Sequence, residues 1–189
     1  SKSKNAIINQ EINKNIDSNW INRIDFGKIE SLKNEGFYGF VSVKSLLNNH
    51  SQIPTTRGVY MVLRTIMDEP IFLEKGSIGY FKGTDPNVAI KILQEKWVYN
   101  TPVVYIGKAG GKKNKTTLRS RILQYLKFGQ GKPVGHKGGR YIWQLNDSEE
   151  LLFCWKPLPT DEPEDVESML ISEFKHQYAG KRPFANLNK

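Results

Sequence analysis

Apolar residues in this chain fall into short runs with strand character and longer stretches with helical spacing. Residues 57–64 and 103–107 combine β-branched, aromatic and aliphatic side chains, which is typical of buried strands. From Leu118 to Leu126 the apolar positions recur every four residues, as on one face of a helix. The pattern therefore predicts two strands and then an amphipathic helix, whose first turn Thr117 would cap.

The second half of the chain predicts two more strands and a longer helix. Residues 141–143 and 151–155 are apolar and rich in aromatic side chains, so we expect a strand at each. Pro163 is a good first-turn residue, and the acidic residues beside it suit the positive end of a helix dipole. Gly180 is expected to end this helix.

The two strands predicted in the first half are separated by an insertion, residues 65–101. Asp85 and Pro86 form a helix start signal, apolar residues follow at helical spacing, and Trp97 closes the segment. The entropy cost of closing a loop rises slowly with its length. A helix-bearing insertion is therefore compatible with direct pairing of the two flanking strands.

Residues 1–53 precede these strands and carry a helical stripe of their own. Its members are Ile8, Ile12, Ile16, Trp20 and Ile24. We interpret the stripe as packing against the body of the protein, and an arm that contacts a partner or DNA is the alternative. A short strand and a short helix are expected between Gly36 and Asn49. The pattern predicts one domain, residues 54–189, with an N-terminal extension, residues 1–53, that packs on it.

The composition, with 38% hydrophobic and 25% charged residues, is that of a globular protein. No apolar run approaches the ~18 residues that cross a membrane, and no signal-peptide pattern is visible. We therefore expect no membrane partner and a cytoplasmic location. The single cysteine, Cys154, excludes an internal disulfide and a cysteine-based zinc cluster. It lies in an apolar run, so we expect a buried residue rather than a nucleophile.

Positive charge is concentrated in one stretch of the chain. The formal net charge is +9, and between Gly107 and Arg140 there are ten basic residues and no acidic one. Such a field attracts a polyanion and releases counterions when the polyanion binds. The stretch therefore favours nucleic acid as a partner, and a solvated surface neutralised from elsewhere in the fold is the alternative.

Five short elements stand in a recognisable order along the chain. They are Gly58-Val59-Tyr60, Tyr105-Ile106-Gly107, Arg121 with Tyr125 one helical turn later, Glu167, and Pro183 followed by Asn186. One tripeptide alone carries no information, but five elements in order are hard to reach by chance. The order resembles that of the GIY-YIG nuclease family, over residues 57–187.

The resemblance implies an α+β fold with a small central, mainly antiparallel β-sheet flanked by helices. It also implies hydrolysis of phosphodiester bonds in double-stranded DNA with Mg²⁺ (or Mn²⁺). This compact chain with insertions is most similar to the type II restriction endonucleases of the family, in which two active sites call for a homodimer or for two monomers acting in turn. A non-specific or repair nuclease, and a non-catalytic DNA-binding module on the same fold, are the alternatives.

Glu167 matches the family's metal-binding glutamate, and a single carboxylate suits Mg²⁺, which keeps most of its waters. Without the resemblance, a helix-dipole residue or a salt-bridge partner is the simpler interpretation of Glu167. Arg121 matches the arginine that would clamp the scissile phosphate as a forked donor. Tyr125 takes the family's Tyr-or-His position one turn later. The alternative for Arg121 is contact with other backbone phosphates only.

Tyr60 and Tyr105 occupy the two tyrosine positions of the family. A free tyrosine titrates near ~10, so a tyrosine base needs a neighbouring cation that lowers its pKa. Lys108 and Arg121 are the available cations. Lys108 is itself a catalytic candidate, because Tyr105-Ile106-Gly107-Lys108-Ala109 resembles the nuclease domain of the bacterial nucleotide-excision repair incision subunit. Which tyrosine takes the proton stays open, and a packing role is the alternative for both.

Gly107 and Asn186 are expected to support the site, since in the family the asparagine fixes the glutamate helix by side-chain hydrogen bonds. We expect contacts with DNA from a group of mostly basic residues: Lys112, Lys113, Lys115, Arg119, His136, Lys137 and Arg140. The first three lie in a basic, Gly-rich loop between Gly107 and Leu118. His136 would contact a phosphate or a base, and an exposed loop histidine is the alternative.

Overall fold

A computed structural model describes residues 19–78, 83–134 and 138–187. The strands are β1 (Tyr38–Ser42), β2 (Gly58–Leu63), β3 (Val103–Ala109) and β4 (Leu152–Pro157). The helices are α1 (Asn19–Arg23), α2 (Ile29–Asn34), α3 (Val43–Asn48), α4 (Ile90–Lys96), α5 (Leu118–Gly129) and α6 (Pro163–Gln177), with short 3-10 helices at Arg140–Gln144 and Ser148–Glu150.

The four strands form one sheet in the order β1-β4-β2-β3, and each neighbouring pair is antiparallel. The central strand β2 is paired on both sides, so that Tyr60 lies opposite Gly107 of β3 and Trp155 of β4. Every residue of β2 is buried. The predicted α+β class, an antiparallel sheet flanked by helices, is confirmed.

Each face of the sheet has its own apolar core, because successive side chains of a strand point to opposite faces. Tyr60 and Val62 of β2 lie in the core that α5 covers, whereas Val59, Met61 and Leu63 lie in the core that α6 covers. Burying one such aliphatic side chain stabilises the fold by about 1.5–3 kcal/mol. The two cores hold the sheet between α5 and α6.

The predicted helix α5 is confirmed together with its cap. The Thr117 side chain accepts a hydrogen bond from the Ser120 main-chain nitrogen, and the Ser120 side chain accepts one from the Thr117 nitrogen. This reciprocal arrangement is a capping box, which satisfies main-chain donors that the helix itself leaves unpaired. Leu118 and Leu126 are buried as the spacing predicted.

Helix α6 begins at Pro163, as predicted, and ends at Gln177, shortly before Gly180. Gly180 has φ +83°, a left-handed conformation that glycine adopts at low cost. Its main-chain nitrogen donates to the Lys175 carbonyl, which closes the helix end.

Residues 141–143 are not a strand, and this prediction was wrong. They belong to the 3-10 helix Arg140–Gln144, and all three side chains are buried. The following residues pair instead with the insertion: the Leu73 nitrogen donates to the Gln144 carbonyl, and Phe72 forms a bridge with Leu145. A short apolar run has no period that distinguishes a buried strand from a buried turn.

The helix of the insertion is confirmed, although it begins at Ile90 rather than at Asp85. The Asp85 carboxylate instead accepts hydrogen bonds from the main chain and the side chain of Asn87, which forms a turn. The start signal at Asp85 therefore marks a turn that precedes the helix.

Two buried polar side chains anchor the insertion to the body of the protein. Gln144 accepts a hydrogen bond from the Val88 nitrogen and donates to the carbonyls of Leu73 and Val88. Arg64 pairs with Asp147 at 2.9 Å and donates to two carbonyls at the start of the insertion. These bonds replace the water that the groups lose on burial.

The N-terminal extension contributes to the sheet as well as packing on it, because β1 pairs with β4. Trp20 and Ile24 are buried in the same core as α6. The Gln177 side chain accepts from the Phe26 nitrogen and donates to the Ile24 carbonyl, which ties the extension to α6. Ile8, Ile12 and Ile16 lie outside the described residues.

Cys154 is buried in β4, as predicted, and burial raises the pKa of its thiol. It is therefore a protonated packing residue. None of the helices in the described part of the chain is long and apolar enough to cross a membrane.

We predict that Gln144→Ala lowers the free energy of unfolding by about 2 kcal/mol, because it removes hydrogen-bond partners from partly buried main-chain groups of residues 73 and 88. Urea unfolding measures this change. The exposed Gln94→Ala is the matched control and should change stability by less than about 0.5 kcal/mol. An equal, small effect of both substitutions would show that Gln144 does not anchor the insertion.

Candidate active site

A cavity of about 370 Å³ opens beside β3 and collects most of the predicted catalytic residues. It is lined by Tyr60, Tyr105, Lys108, Asn114, Thr116, Arg121 and Glu167. These residues come from β2, β3, the loop after β3, α5 and α6. Five of the six catalytic candidates thus line one cavity, and Tyr125 is the exception.

Gly107 makes room for Tyr60 across the strand pair. A Cβ built at Gly107 would lie 2.6 Å from the Tyr60 hydroxyl oxygen and even closer to the ring. Such contacts are not tolerated, so any larger residue at position 107 would push the Tyr60 ring out of its position. The absence of a side chain at Gly107 therefore lets the Tyr60 ring lie where it does, and the supporting role of Gly107 in a catalytic site stays a prediction.

The three tyrosines form one buried assembly. The side chains of Tyr60 and Tyr105 share a hydrogen bond. Tyr125 stacks on Tyr105 with ring centroids 5.4 Å apart and an angle of 13° between the planes. The Tyr125 hydroxyl donates to the Gly139 carbonyl. Tyr125 thus lies behind Tyr105 and positions it, rather than facing the cavity.

Burial controls the protonation of these tyrosines. It raises the pKa of Tyr105 to about 12 and that of Tyr60 well above its ordinary value. The Arg121 guanidinium lowers both values, but its effect is smaller than that of burial. The cation that a tyrosine base requires is therefore present, yet both hydroxyls keep their protons at neutral pH.

Arg121 reaches the cavity from α5, one turn before Tyr125. Its guanidinium donates a hydrogen bond of 2.7 Å to the Gln124 side chain. This contact orients the planar fork, which is suited to two oxygens of a phosphate. The positioning by Gln124 was not predicted from the sequence.

Lys108 forms an ion pair with Glu164, with 3.6 Å between Nζ and Oε1. Glu164 lies one helical turn before Glu167 on α6. Both partners are partly exposed, so the pair contributes little to stability. Its consequence is local: the Lys108 ammonium is held near the mouth of the cavity. Glu164 was not among the predicted residues.

Glu167 supplies the carboxylate of the cavity. Within residues 19–78, 83–134 and 138–187, no three His, Cys, Asp or Glu side chains are grouped so that they could hold a metal ion. Glu167 is the acidic residue in the lining of this cavity, so a cation there would have one carboxylate ligand from the lining, with hydroxyl and water oxygens completing its shell. Mg²⁺ accepts such a set because it prefers oxygen and keeps several waters. The donor set fits Mg²⁺ (or Mn²⁺).

Asn186 holds the C-terminal segment against β3. Its side-chain amide donates to the Ile106 carbonyl at 2.9 Å and accepts from the Ile106 nitrogen at 3.0 Å. The Ala185 nitrogen adds a bond to the Val104 carbonyl. Asn186 therefore supplies hydrogen-bond partners to main-chain groups on the outer edge of β3, the strand that carries Tyr105. Its side-chain bonds reach β3 rather than the glutamate helix α6, and its support of the site stays a prediction.

The basic loop after β3 folds back beside the cavity. The Thr116 hydroxyl accepts from the Gly110 nitrogen and donates to Asn114, and the Lys112 nitrogen donates to the Glu162 carboxylate at the start of α6. Asn114 and Thr116 line the cavity, although neither was predicted. The side chains of Lys112, Lys113 and Lys115 are exposed to solvent.

The other residues that were predicted to contact DNA do not line this cavity. The Arg119 guanidinium donates to the carbonyls of Ser51 and Ile53, and so ties the start of α5 to the segment before β2. Arg140 lies beside the Tyr141 ring and lines a separate cavity. His136 and Lys137 are outside the described residues.

We predict that the free energy of unfolding falls between pH 10 and 12. The unfolded chain releases tyrosine protons near ~10, whereas Tyr105 in the folded protein holds its proton up to about 12. The unfolded state therefore binds fewer protons in this window, and stability decreases with pH. Urea unfolding from pH 9 to 12 should show a smaller decrease for Tyr105→Phe than for the wild type. Tyr38→Phe, at a side chain that is 49% exposed, should follow the wild type; equal slopes for all three proteins would contradict the assignment.

Comparison with known proteins gives no relative for this chain: no family model matches it, and neither curated proteins nor solved structures give a significant match. The cavity described above therefore carries the functional argument.

Proposed function

We propose that this chain is a metal-dependent DNA endonuclease of the GIY-YIG family. The observation that carries the proposal is the single cavity shared by Tyr60, Tyr105, Arg121 and Glu167. From Tyr60 to Glu167 these residues span more than 100 positions of the sequence, and the order of their motifs was the basis of the resemblance. Their convergence on one cavity is what a common chemical role requires.

Each charged residue of the cavity is suited to a different part of phosphodiester hydrolysis. Arg121 binds the scissile phosphate and offsets the charge that builds up on its oxygens. Lys108, held by Glu164 near the same cavity, adds a second positive charge for the phosphate or the leaving oxygen. Glu167 would hold Mg²⁺ (or Mn²⁺), which supplies Lewis-acid polarisation of the phosphate and of a bound water.

Tyr60 and Tyr105 act through their hydroxyl groups. Burial keeps both protonated at neutral pH, so they bind and orient the attacking water by hydrogen bonds in the resting state. A neutral hydroxyl cannot take a second proton, so a tyrosine acts as base only after one of the two has released its own proton to solvent. The other hydroxyl then donates to that oxygen across their shared hydrogen bond. Which of the two takes the proton of the attacking water stays open, and Tyr125 keeps Tyr105 in position.

The surface around the cavity suits double-stranded DNA as the substrate. The exposed lysines of the loop after β3 lie next to the cavity, and the stretch from Gly107 to Arg140 has no acidic residue. Phosphate neutralisation by such residues supplies most of the affinity in non-specific DNA binding.

Within this class we propose the role of a type II restriction endonuclease. Digestion of plasmid and phage DNA to completion with Mg²⁺, with an EDTA control, tests both the nuclease activity and the restriction role. Discrete bands are expected. A smear would identify a non-specific nuclease, and a requirement for branched or damaged DNA would identify a repair nuclease. Binding without cleavage across several metals and DNAs would leave a non-catalytic DNA-binding module. Sedimentation with and without DNA would show whether a homodimer or successive monomers make the two cuts.

Glu167→Ala should abolish cleavage, by at least about 10²-fold, while DNA binding is retained or becomes tighter. The reason is that Glu167 holds the cation and otherwise repels phosphate. Parallel gel-shift and cleavage assays measure the two effects. Asp165→Ala, at an exposed position on the same helix, is the matched control and should cleave normally. Retained cleavage by Glu167→Ala at ordinary Mg²⁺ concentrations would refute the metal assignment.

Changing Lys112, Lys113 and Lys115 together to Ala should reduce the slope of log affinity against log salt by about 2–3, one phosphate for each lysine. Fluorescence anisotropy with a labelled duplex over a salt series gives the slope. The matched control changes three exposed lysines away from the cavity, Lys28, Lys44 and Lys75. An unchanged slope in the loop variant would mean that the loop points away from DNA.

A further inference from the structure

A second cavity, of about 580 Å³, lies between the end of α4, the 3-10 helix Arg140–Gln144 and the C-terminal segment 180–187. Four basic residues line it: Lys96, Arg140, Lys181 and Arg182. Glu95 is the one carboxylate in the lining. The cavity is therefore strongly positive, and of its four basic residues only Arg140 belongs to the basic stretch of the sequence.

The four basic residues surround the cavity together with a single carboxylate, that of Glu95. Among the residues that the structure describes, none of the four forms an ion pair. Like charges around one cavity repel each other, and a bound anion removes that repulsion. The arrangement is what an anion site requires.

Two of the four cations are held in place before any ligand binds. The Arg182 guanidinium donates to the Leu187 carbonyl at 2.7 Å, and the Arg140 guanidinium lies 5.4 Å from the centre of the Tyr141 ring. Lys96 and Lys181 are exposed and keep flexible, charged ends. Fixed guanidinium groups with mobile ammonium groups around them suit a phosphate, which offers several oxygens to forked donors.

The second cavity lies close to the catalytic cavity. Asn186 lines the second cavity and also bonds Ile106, the neighbour of Tyr105. A Cβ built at Gly138 would lie 3.2 Å from the Tyr105 hydroxyl oxygen, and Arg140 follows two residues later. The two cavities are therefore joined by short stretches of main chain along the outer edge of β3.

The second cavity and the basic loop adjoin different parts of β3. The C-terminal segment bonds β3 at Val104 and Ile106, whereas the loop leaves β3 after Ala109. At ~3.4 Å per residue these points are roughly 10–17 Å apart along the strand. The second cavity and the loop are therefore separate positive regions.

We infer that the second cavity binds a backbone phosphate of the DNA substrate other than the scissile phosphate, in addition to the phosphates that the basic loop contacts. The inference rests on the proposed function. It gives the DNA backbone a second binding region beside the catalytic cavity, separate from the loop.

The test uses the full chain with Lys96→Ala and Lys181→Ala combined, two exposed positions at which substitution leaves the core untouched. Fluorescence anisotropy with a labelled 30-bp duplex over a NaCl series should give a slope of log affinity against log salt that is smaller by about 1, for the one phosphate bound. The matched control combines Lys44→Ala with Lys91→Ala; Lys91 lies on the same helix as Lys96 but does not line the cavity. The control should retain the wild-type slope, and thermal melting checks that each variant is folded.

Combining this variant with the Lys112, Lys113 and Lys115 substitutions sharpens the test. The two reductions in slope should add, because distant and independent contacts are additive. An unchanged slope in the Lys96/Lys181 variant, or reductions that do not add, would overturn the inference while leaving the nuclease proposal in place. If the wild-type chain binds no DNA at all, both the inference and the proposed function fail.

Discussion

The Tyr60 ring lies directly against the main chain of Gly107, and the rest of the candidate site depends on this contact. It requires position 107 to lack a side chain, and it fixes the register in which β2 and β3 pair. A slip of one residue would turn every side chain of β2 to the opposite face of the sheet. Tyr60 would then leave the side that α5 covers, and Arg121 would lose its neighbour. Because β2 also pairs with β4, the same register extends across the sheet.

Around this contact the protein combines a buried, neutral wall with a charged rim. The stacked tyrosines form the wall, and burial holds their protons. Lys108, Arg121 and Glu167 stand at the rim, where water still reaches them. Charges at the boundary between a poorly hydrated wall and solvent act more strongly on a bound ion than the same charges on an open surface. A phosphate that enters the cavity meets both environments at once.

Much of this arrangement could be predicted from the sequence, because it depends on patterns that local physics imposes. The strands β2 and β3, the capped helix α5 and the start of α6 follow from apolar spacing and capping residues. The candidates Tyr60, Tyr105, Arg121 and Glu167 lie on those elements, and the structure brings all four to one cavity. Their chemical roles stay predictions.

The residues that were not predicted have no local signal in the amino-acid sequence. Gln144 and Arg64 are ordinary polar residues in the sequence, and only the path of the insertion makes them buried anchors. Asn114 and Thr116 line the cavity because the loop after β3 folds back onto the start of α6, and Glu164 pairs with Lys108 across the gap between α6 and β3. Residues 141–143 were mistaken for a strand because three apolar residues have no measurable period. In each case the deciding contact joins segments far apart along the chain.

The C-terminal segment has a consequence for how the protein is made. Residues 184–186 supply hydrogen-bond partners to main-chain groups on the outer edge of β3, yet Asn186 follows its partner Ile106 by 80 positions. Until they have been synthesised, β3 presents unpaired main-chain groups of the kind that attract strands from other molecules. A nascent chain that has reached only α6 would therefore have an open sheet edge as well as an unsupported Tyr105. Closure of that edge both protects against aggregation and completes the cavity, and it waits for the synthesis of the segment after α6.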